Sequence, residues 1–242
     1  MCIRDRLCSG FFVTLATFYR IPTSTSQAIV GGVLGIGLAV RAEINYSKLI
    51  TIAESWLICP VMVMILAYVL YRLLILLLRR IKKSYMLVQN ALGRLAILSA
   101  CYVAYSMGAN NAGNAVGPIA NLGLFPPTLL LGIGGVAIAI GAVTYGKKVA
   151  DTVGKGITPL DIPGALVAQL SSAFGMHLFS MFGIPVSTSS AIVGAVVGVG
   201  LVRGAKAISK KTLFTILGGW VLTPTLSATT AFLIYRGIKM LF

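Results

Sequence analysis

An eighteen-residue stretch occurs twice in this chain, and its two copies begin 163 residues apart. Residues 21–38 read IPTSTSQAIVGGVLGIGL, residues 184–201 read IPVSTSSAIVGAVVGVGL, and thirteen of the eighteen positions are identical. Pro22 and Pro185 interrupt any helix that runs in from upstream, because proline has no backbone N–H. The Ser-Thr-Ser that follows is rich in N-cap residues, so the apolar run after it restarts a helix. The first turn of such a helix can hold an anion, and two such breaks in matching repeats are typical of secondary transporters.

Composition indicates a membrane environment. The chain is 57% hydrophobic and only 10% charged, with five acidic residues among 242. Its net charge of +15 comes from basic residues in the gaps between apolar segments, as in cytoplasmic loops, and not from a basic stripe with interleaved aromatic residues. We therefore predict no nucleic-acid partner. The four cysteines form no CxxC pair, which indicates neither a metal site nor a disulfide framework.

The apolar segments predict an all-α polytopic membrane protein. Long spans are expected at residues 50–78, 86–107, 128–145 and 213–235, a broken pair at 162–182 and 185–202, and a basic loop at 147–161. The repeat extends further, because Trp56 and Pro60 recur as Trp220 and Pro224. If the basic loops are cytoplasmic, equivalent loops of the two repeats fall on opposite faces of the membrane. This pattern predicts two inverted-topology repeats with broken helices.

The first repeat is incomplete by this alignment. Residues 11–85 match its C-terminal part plus a cytoplasmic loop, and residues 86–242 form the second repeat. The counterpart of Gly108 falls about 55 residues upstream of residue 1, so we expect native residues to precede this chain, and the chain alone not to transport. Residues 1–10 are charged where the repeat register calls for an apolar helix. We interpret them as a non-native leader, with a short native extramembrane start as the alternative.

A second motif, GANNAGNAVGP at residues 108–118, places three asparagines and three glycines between two apolar spans. Unwound backbone at membrane depth is tolerated only where it is buried in protein or lines a cavity. Asparagine amides offer oxygens to a hard cation and N–H groups to an anion. We therefore expect a helix break here that serves binding, with a plain interhelical polar contact as the alternative.

These motifs together resemble the inorganic phosphate transporter (PiT) family. The resemblance rests on GANNAGNAVGPIAN at residues 108–121, both P-x-S-T-S breaks and the paired W-x-x-x-P, and it covers nearly all of residues 11–242. It implies two inverted repeats, each with a GANDVANA-type motif and a later P-x-S-T-T-H-type motif. It also implies symport of phosphate with sodium or protons, without any other cofactor.

The resemblance implies a set of site residues. Hydroxyls of the two breaks would bind the anion, and amides of the asparagine motif would serve both the anion and a coupling Na+: Ser24, Thr25, Ser26, Ser187, Thr188 and Ser189, then Asn110, Asn111 and Asn114. The chain departs from the family pattern in three ways, one of which is that the first copy of the GAND-type motif is missing. Asn111 replaces the aspartate of the family's motif, which removes a carboxylate from the expected coupling site. Gln27 and Ser190 stand where the family often has histidine, so no imidazole relay is expected there.

A symporter that imports phosphate across the cell membrane accounts for all of these features, with Na+ favoured over H+ because neither motif has an imidazole. A sulfate permease of the same family is the alternative, since capped helix N-termini bind either oxyanion. An anion channel would show rings of Arg or Lys along a pore. An enzyme is not expected, because a hydrolase needs a nucleophile with a histidine or carboxylate partner. The expected partners are inorganic phosphate and membrane lipid, and a homodimer is left open.

Three isolated polar residues need separate interpretation. Glu54 lies early in an apolar span, where an acid is either a functional group or one that reaches interfacial water. His177 is the single histidine, and we expect it to be satisfied by packing. Arg20 precedes the first break by two residues and is an alternative contact for an anion.

Overall fold

The computed structural model describes residues 10, 13–14, 24–81, 85–120 and 122–241. Residues 1–9 of the proposed leader (1–10) lie outside these residues, and so do Arg20 and Pro22. The described part of the chain contains helices and no strand: α1 (Thr25–Val40), α2 (Tyr46–Arg80), α3 (Tyr85–Ala120), α4 (Pro127–Gly156), α5 (Ile162–Met181), α6 (Thr188–Arg203), a short 3-10 turn (Ala205–Ala207) and α7 (Lys210–Leu241).

Five of these helices are long and apolar enough to cross a membrane: Tyr46–Arg80, Met86–Gly117, Pro127–Thr144, Ile162–Met181 and Lys210–Gly237. The two helices that follow the sequence breaks, α1 and α6, are shorter at 16 residues each. Large apolar side chains point outward from the long helices, as Leu57 (72% exposed) and Val143 (85% exposed) illustrate. Such surfaces suit a lipid environment. The predicted all-α polytopic fold class is confirmed.

Two boundary predictions were wrong. The expected helix break at residues 108–118 is absent, because α3 continues to Ala120. Glycine within a helix costs about 1 kcal/mol, whereas each backbone group left unpaired in hydrocarbon costs several kcal/mol. A continuous helix is therefore cheaper than an unwound one. The loop expected at 147–161 is also shorter, since α4 extends to Gly156.

The chain divides into two compact units. Unit 1 comprises Met1–Ala53, Asn111–Ala150 and Phe214–Phe242, and unit 2 comprises Glu54–Asn110 and Asp151–Leu213. Long helices contribute to both, so each unit combines segments from both sequence repeats.

Within unit 1, α1 packs closely on α7 through glycines. A Cβ added at Gly31 would collide with the backbone carbonyl of Pro224, and one at Gly35 with that of Ala228. Ser227 strengthens this contact by donating a hydrogen bond from its Oγ to the backbone oxygen of Ala28 at 2.6 Å. Small residues that let two backbones approach are the usual means of packing helices in membranes.

Within unit 2, the same contact recurs at the equivalent positions of the repeat. Gly194 faces the carbonyl of Pro60, and Gly198 faces that of Met64. Helix α6 also packs along α5. Pro224 and Pro60, which recur in the sequence repeat, therefore lie where the short helices α1 and α6 pack against the long ones. The inverted orientation of the repeats stays a prediction.

Candidate functional site

In unit 1, the serine of the first break caps α1. Ser24 adopts an extended conformation (φ −95°, ψ 114°), and its side chain accepts a hydrogen bond from the backbone N–H of Gln27 at 3.2 Å. Ser24 and Ser26 are both buried. Asn114 on α3 donates from Nδ2 to Oγ of Ser26 at 3.2 Å. One amide of the asparagine motif is thereby fixed at the first turn of α1.

In unit 2, the serine of the second break caps α6 in the same way. Oγ of Ser187 accepts from the backbone N–H of Ser190 at 3.1 Å. Two further hydroxyls gather around it, since Oγ of Ser190 donates to Oγ of Ser187 at 2.6 Å and Oγ of Ser189 lies 3.2 Å away. Both N-caps predicted from the sequence are present, and each lies at the positive end of a helix dipole.

Asn110 holds the chain in place just before α6. Its Nδ2 donates to the backbone oxygen of Val186 at 2.8 Å, and its Oδ1 accepts from the backbone N–H of Val186 at 3.3 Å. Both groups of the amide are therefore engaged by the backbone of a single residue of the break, Val186. Asn110 is buried, so this pairing also satisfies polar groups that would otherwise be costly. Its geometry is that of a positioning residue.

The predicted site residues thus fall into two groups, one in each unit. Ser24, Ser26 and Asn114 come together in unit 1. Ser187, Ser189 and Asn110 gather around the second break in unit 2. The other three lie on the same elements: Thr25 and Thr188 begin α1 and α6, and Asn111 lies on α3.

Gln27 was not among the site residues predicted from the sequence. Its side chain is 3% exposed, and its buried Oε1, in the first turn of α1, has no hydrogen-bond partner among the described residues. An unpaired buried acceptor costs about 1–3 kcal/mol, which makes a ligand that donates a hydrogen bond or a positive charge an effective partner. The available signal was its position in the motif, where the resembled family often has histidine.

In unit 2, an ion pair joins the N-terminal end of α5 to the C-terminal end of α6. Asp161 caps α5 by accepting from the backbone N–H of Gly164 at 2.8 Å, and it pairs with Arg203 at the end of α6. Arg203 also donates from Nε and Nη2 to the hydroxyl of Tyr71, at 3.1 and 2.9 Å. The carboxylate at a helix N-terminus and the guanidinium at a helix C-terminus both complement the helix dipoles. No pattern in the sequence predicted this ion pair.

His177 is satisfied by its neighbours in unit 2, as expected. Its Nδ1 lies 2.9 Å from the hydroxyl of Tyr102, and its ring packs edge-on against the rings of Tyr102 and Tyr105.

The described residues contain no group of three or more His, Cys, Asp or Glu side chains that could hold a metal ion. The described side chains at each break offer amide and hydroxyl oxygens. Such neutral oxygen ligands suit a hard cation.

Comparison with known proteins gives concordant matches. A sequence profile described as the phosphate transporter family matches residues 6–231. A Methanocaldococcus jannaschii protein named "Putative phosphate permease" is 30% identical, over 96% of this chain and 74% of its own length. A Pyrococcus furiosus protein of the same name is 28% identical, over 95% of this chain and 75% of its own length. A Bacillus subtilis protein named "Sulfate permease CysP" is 29% identical, over 90% of this chain and 61% of its own length.

The chain is also similar to a solved structure. The chain is similar to one named "The sodium-dependent phosphate transporter", with a TM-score of 0.88 and 27% sequence identity. The similarity covers all of this chain and 80% of that chain.

Proposed function

Because this chain belongs to the phosphate transporter family, we propose that it is a secondary active symporter that imports inorganic phosphate with a coupling cation, Na+ rather than H+, across the cell membrane. The observation that carries the proposal is the pair of buried, serine-capped helix N-termini at Ser24 and Ser187. Each offers backbone N–H groups and a positive dipole end to an oxyanion. The other residues of the proposal lie beside these caps in each unit: Thr25, Ser26, Asn111 and Asn114 in unit 1, and Thr188, Ser189 and Asn110 in unit 2.

The chemistry of the side chains supports Na+ as the coupling ion. The asparagine motif and the serine clusters supply neutral oxygens, which coordinate Na+ readily and carry protons poorly. Asn114 is seated on Ser26 through its Nδ2, an orientation that leaves its Oδ1 as the amide group for a cation. The similarity to a structure named as a sodium-dependent phosphate transporter supports the same choice.

Phosphate is favoured over sulfate by the buried acceptor of Gln27. At neutral pH, inorganic phosphate carries at least one proton on its oxygens, whereas sulfate carries none. Among the described residues, Oε1 of Gln27 has no hydrogen-bond donor, and it would accept a hydrogen bond from a protonated phosphate oxygen. Sulfate is the second candidate, because the Bacillus subtilis relative is named a sulfate permease.

Uptake of radiolabelled phosphate into proteoliposomes tests the proposal. A full-length form of the protein should accumulate phosphate against its gradient when Na+ is high outside, and a tenfold excess of sulfate should leave uptake nearly unchanged. Gln27→Met keeps the size of the side chain and removes the acceptor, so it should narrow the preference for phosphate over sulfate. Sulfate uptake that exceeds phosphate uptake would favour the second candidate, and uptake that only equilibrates the two sides would exclude a symporter.

A further inference from the structure

Two tryptophans occupy equivalent places in the sequence repeat, and both carry a buried N–H group without a partner. Trp56 on α2 belongs to unit 2, and Trp220 on α7 belongs to unit 1. The indole nitrogen Nε1 of each is buried, and no described residue accepts a hydrogen bond from it. A buried N–H that stays unpaired is destabilising. The same unpaired donor in both copies of the repeat therefore indicates a partner that is not part of the fold.

Neither tryptophan lies at the end of its helix, where an interfacial anchor is expected. Trp220 is ten residues after Lys210, the first residue of α7, and sixteen residues before Arg236. At about 1.5 Å per residue, it lies about 15 Å along the helix from the first of these cations and about 24 Å from the second. Trp56 likewise lies about 12 Å beyond Lys48 on α2. Anchoring indoles lie at headgroup level, so these two rings serve another purpose.

In unit 1, Trp220 is level with the first turn of α1. The two helices run parallel where they touch, because the contact of Gly31 with Pro224 recurs four residues later on both helices. Four residues earlier on both, the same register pairs Gln27 with Trp220. Long side chains on a helix lean toward its N-terminus, so both lean toward the start of α1. The unpaired N–H of Trp220 and the unpaired Oε1 of the buried Gln27 thus lie beside one capped helix N-terminus.

Unit 2 repeats this arrangement with one difference. Gly194 of α6 faces Pro60 of α2. Four residues earlier on both helices, the register pairs Ser190 with Trp56. Ser190, the repeat equivalent of Gln27, is buried, and its Oγ already donates to the capping hydroxyl at 2.6 Å. The side chain in the first turn of α6 is therefore paired within the cap, whereas the indole N–H of Trp56 has no acceptor among the described residues.

We propose that the indole N–H groups of Trp56 and Trp220 donate hydrogen bonds to an oxyanion held at the capped helix N-termini. This inference rests on the proposed function and adds two residues to its anion site. Each short helix supplies backbone N–H groups at its first turn, and the indole adds a donor from the long helix packed beside it. An oxyanion accepts several such bonds at once, and its charge makes each of them stronger than a bond between neutral groups.

The two groups beside α1 recognise different features of the anion. The indole N–H of Trp220 binds an unprotonated oxygen, which phosphate and sulfate both carry. Oε1 of Gln27 accepts from a protonated oxygen, which at neutral pH phosphate carries and sulfate does not. Loss of the indole donor should therefore weaken the binding of both anions, whereas loss of the glutamine acceptor should weaken the binding of phosphate alone.

Equilibrium binding to a purified full-length form of the protein tests the inference. Radiolabelled phosphate and sulfate are titrated separately in detergent with Na+ present. Trp220→Phe and Trp56→Phe keep an aromatic ring and remove the N–H. We expect each to raise the Kd for phosphate roughly ten- to a hundredfold, as for the loss of one hydrogen bond to a charged group. The Kd for sulfate should rise by a similar factor, whereas Gln27→Met should raise the Kd for phosphate only.

Two controls separate hydrogen bonding from packing. At Trp220, 3-benzothienylalanine keeps the two fused rings and replaces the N–H by sulfur, so it should bind phosphate as weakly as Trp220→Phe. Phe214→Leu removes an exposed ring from the same helix and should leave the Kd within about twofold. A tryptophan with a purely structural role would behave differently. Its replacement by phenylalanine would lower the unfolding temperature of the phosphate-free protein and leave the Kd of the folded fraction unchanged.

The outcomes distinguish this inference from the proposed function. If the wild type binds phosphate and both phenylalanine variants bind it equally well, the indoles are not ligands and the proposed function stands. A benzothienylalanine variant that binds like the wild type would overturn the inference in the same way. If the wild type binds phosphate but Na+ drives no uptake, the symport proposal fails, and a raised Kd in the variants still supports the indole donors. A wild type that binds neither anion would overturn both.

Discussion

At the scale of single residues, a capping hydroxyl has two roles in this protein. Ser187 satisfies a buried N–H at the start of α6, and it gathers the hydroxyls of Ser189 and Ser190 at the positive end of the helix. Removal of one hydrogen bond to a charged ligand costs about 1.5–3 kcal/mol, roughly ten- to a hundredfold in affinity.

We therefore expect Ser187→Ala to raise the KM for phosphate by roughly ten- to a hundredfold, since the lost bond is worth about 1.5–3 kcal/mol. Initial rates of uptake in proteoliposomes provide the measurement, and Ser24→Ala is the matching change in unit 1. Thr225→Ala is the control, because that exposed hydroxyl bonds only to the backbone of its own helix. An unchanged KM in both serine variants would remove the two caps from the anion site.

Asn110 should behave differently from the serines. Its amide bonds to both polar groups of Val186, so Asn110→Ala leaves a buried N–H and a buried C=O without that partner. Each hydrogen bond lost in this way is worth about 0.5–1.5 kcal/mol. We expect a clear fall in the thermal unfolding temperature in detergent, larger than for Ser187→Ala.

A conservative variant separates positioning from ligand binding. Asn110→Asp keeps an acceptor for the N–H of Val186 but places a carboxylate beside the Val186 oxygen in a buried position, so it should destabilise the fold at least as much as Asn110→Ala. A variant that unfolds like the wild type but has lost phosphate affinity would show that Asn110 is a direct ligand instead.

At the scale of elements, the close packing of the short helices rests on glycine. Gly31 and Gly194 each face the carbonyl of a proline on another helix, with no space for a Cβ. Because the obstacle is backbone, the helices must separate, and overpacking of this kind costs about 1–3 kcal/mol or more. We expect Gly31→Ala and Gly194→Ala each to lower the unfolding temperature and the yield of folded protein.

Gly218→Ala is the control for this prediction. Gly218 lies within α7, the helix that carries Pro224, and a Cβ there meets nothing within 4 Å. Alanine favours a helix interior over glycine by about 0.5–1 kcal/mol, so this variant should be neutral or slightly more stable. If all three variants unfolded alike, close approach of the helices could not explain the effect.

Local signals predicted the helix starts and failed at the asparagine motif. Proline followed by serine fixes a helix start through backbone chemistry within four residues, and both Ser24 and Ser187 cap as predicted. Residues 108–118 have the composition of a loop, yet α3 continues through them. The competing cost, unpaired backbone groups in a membrane, depends on what surrounds the segment and not on its own composition.

The same reasoning applies to the candidate site. The residue types were predictable from the two motifs, whereas the partner of each was not. Asn110 bonds to the backbone of Val186, which is 76 residues away, and Asn114 bonds to the side chain of Ser26, which is 88 residues away. Such pairings are set by tertiary packing. The unpaired Oε1 of Gln27 could not be predicted either, because only the folded chain shows that none of the described residues donates a hydrogen bond to it.

At the scale of the whole molecule, charge is concentrated outside the apolar spans. The chain has twenty basic and five acidic residues, and Glu54 is one of the few acids on a membrane-length helix. A carboxylate in such a position is the obvious alternative to Na+ coupling, since carboxylates carry protons in many transporters. If protons drive transport, Glu54 is the candidate group that carries them. If Na+ drives transport, the neutral oxygens at the breaks are the candidate ligands.

We expect phosphate uptake to follow the sodium gradient. With Na+ outside and equal pH on both sides, vesicles should concentrate phosphate, and an imposed pH gradient without Na+ should drive little uptake. Glu54→Gln keeps the shape of the side chain and removes its charge, so it should leave sodium-driven uptake within about twofold, because surface changes of this kind have small effects. Asn114→Leu removes an amide oxygen proposed for the cation and should raise the Na+ concentration needed for half-maximal uptake. Uptake that ignores Na+, tracks the pH gradient and disappears in Glu54→Gln would instead assign coupling to the proton and to that carboxylate.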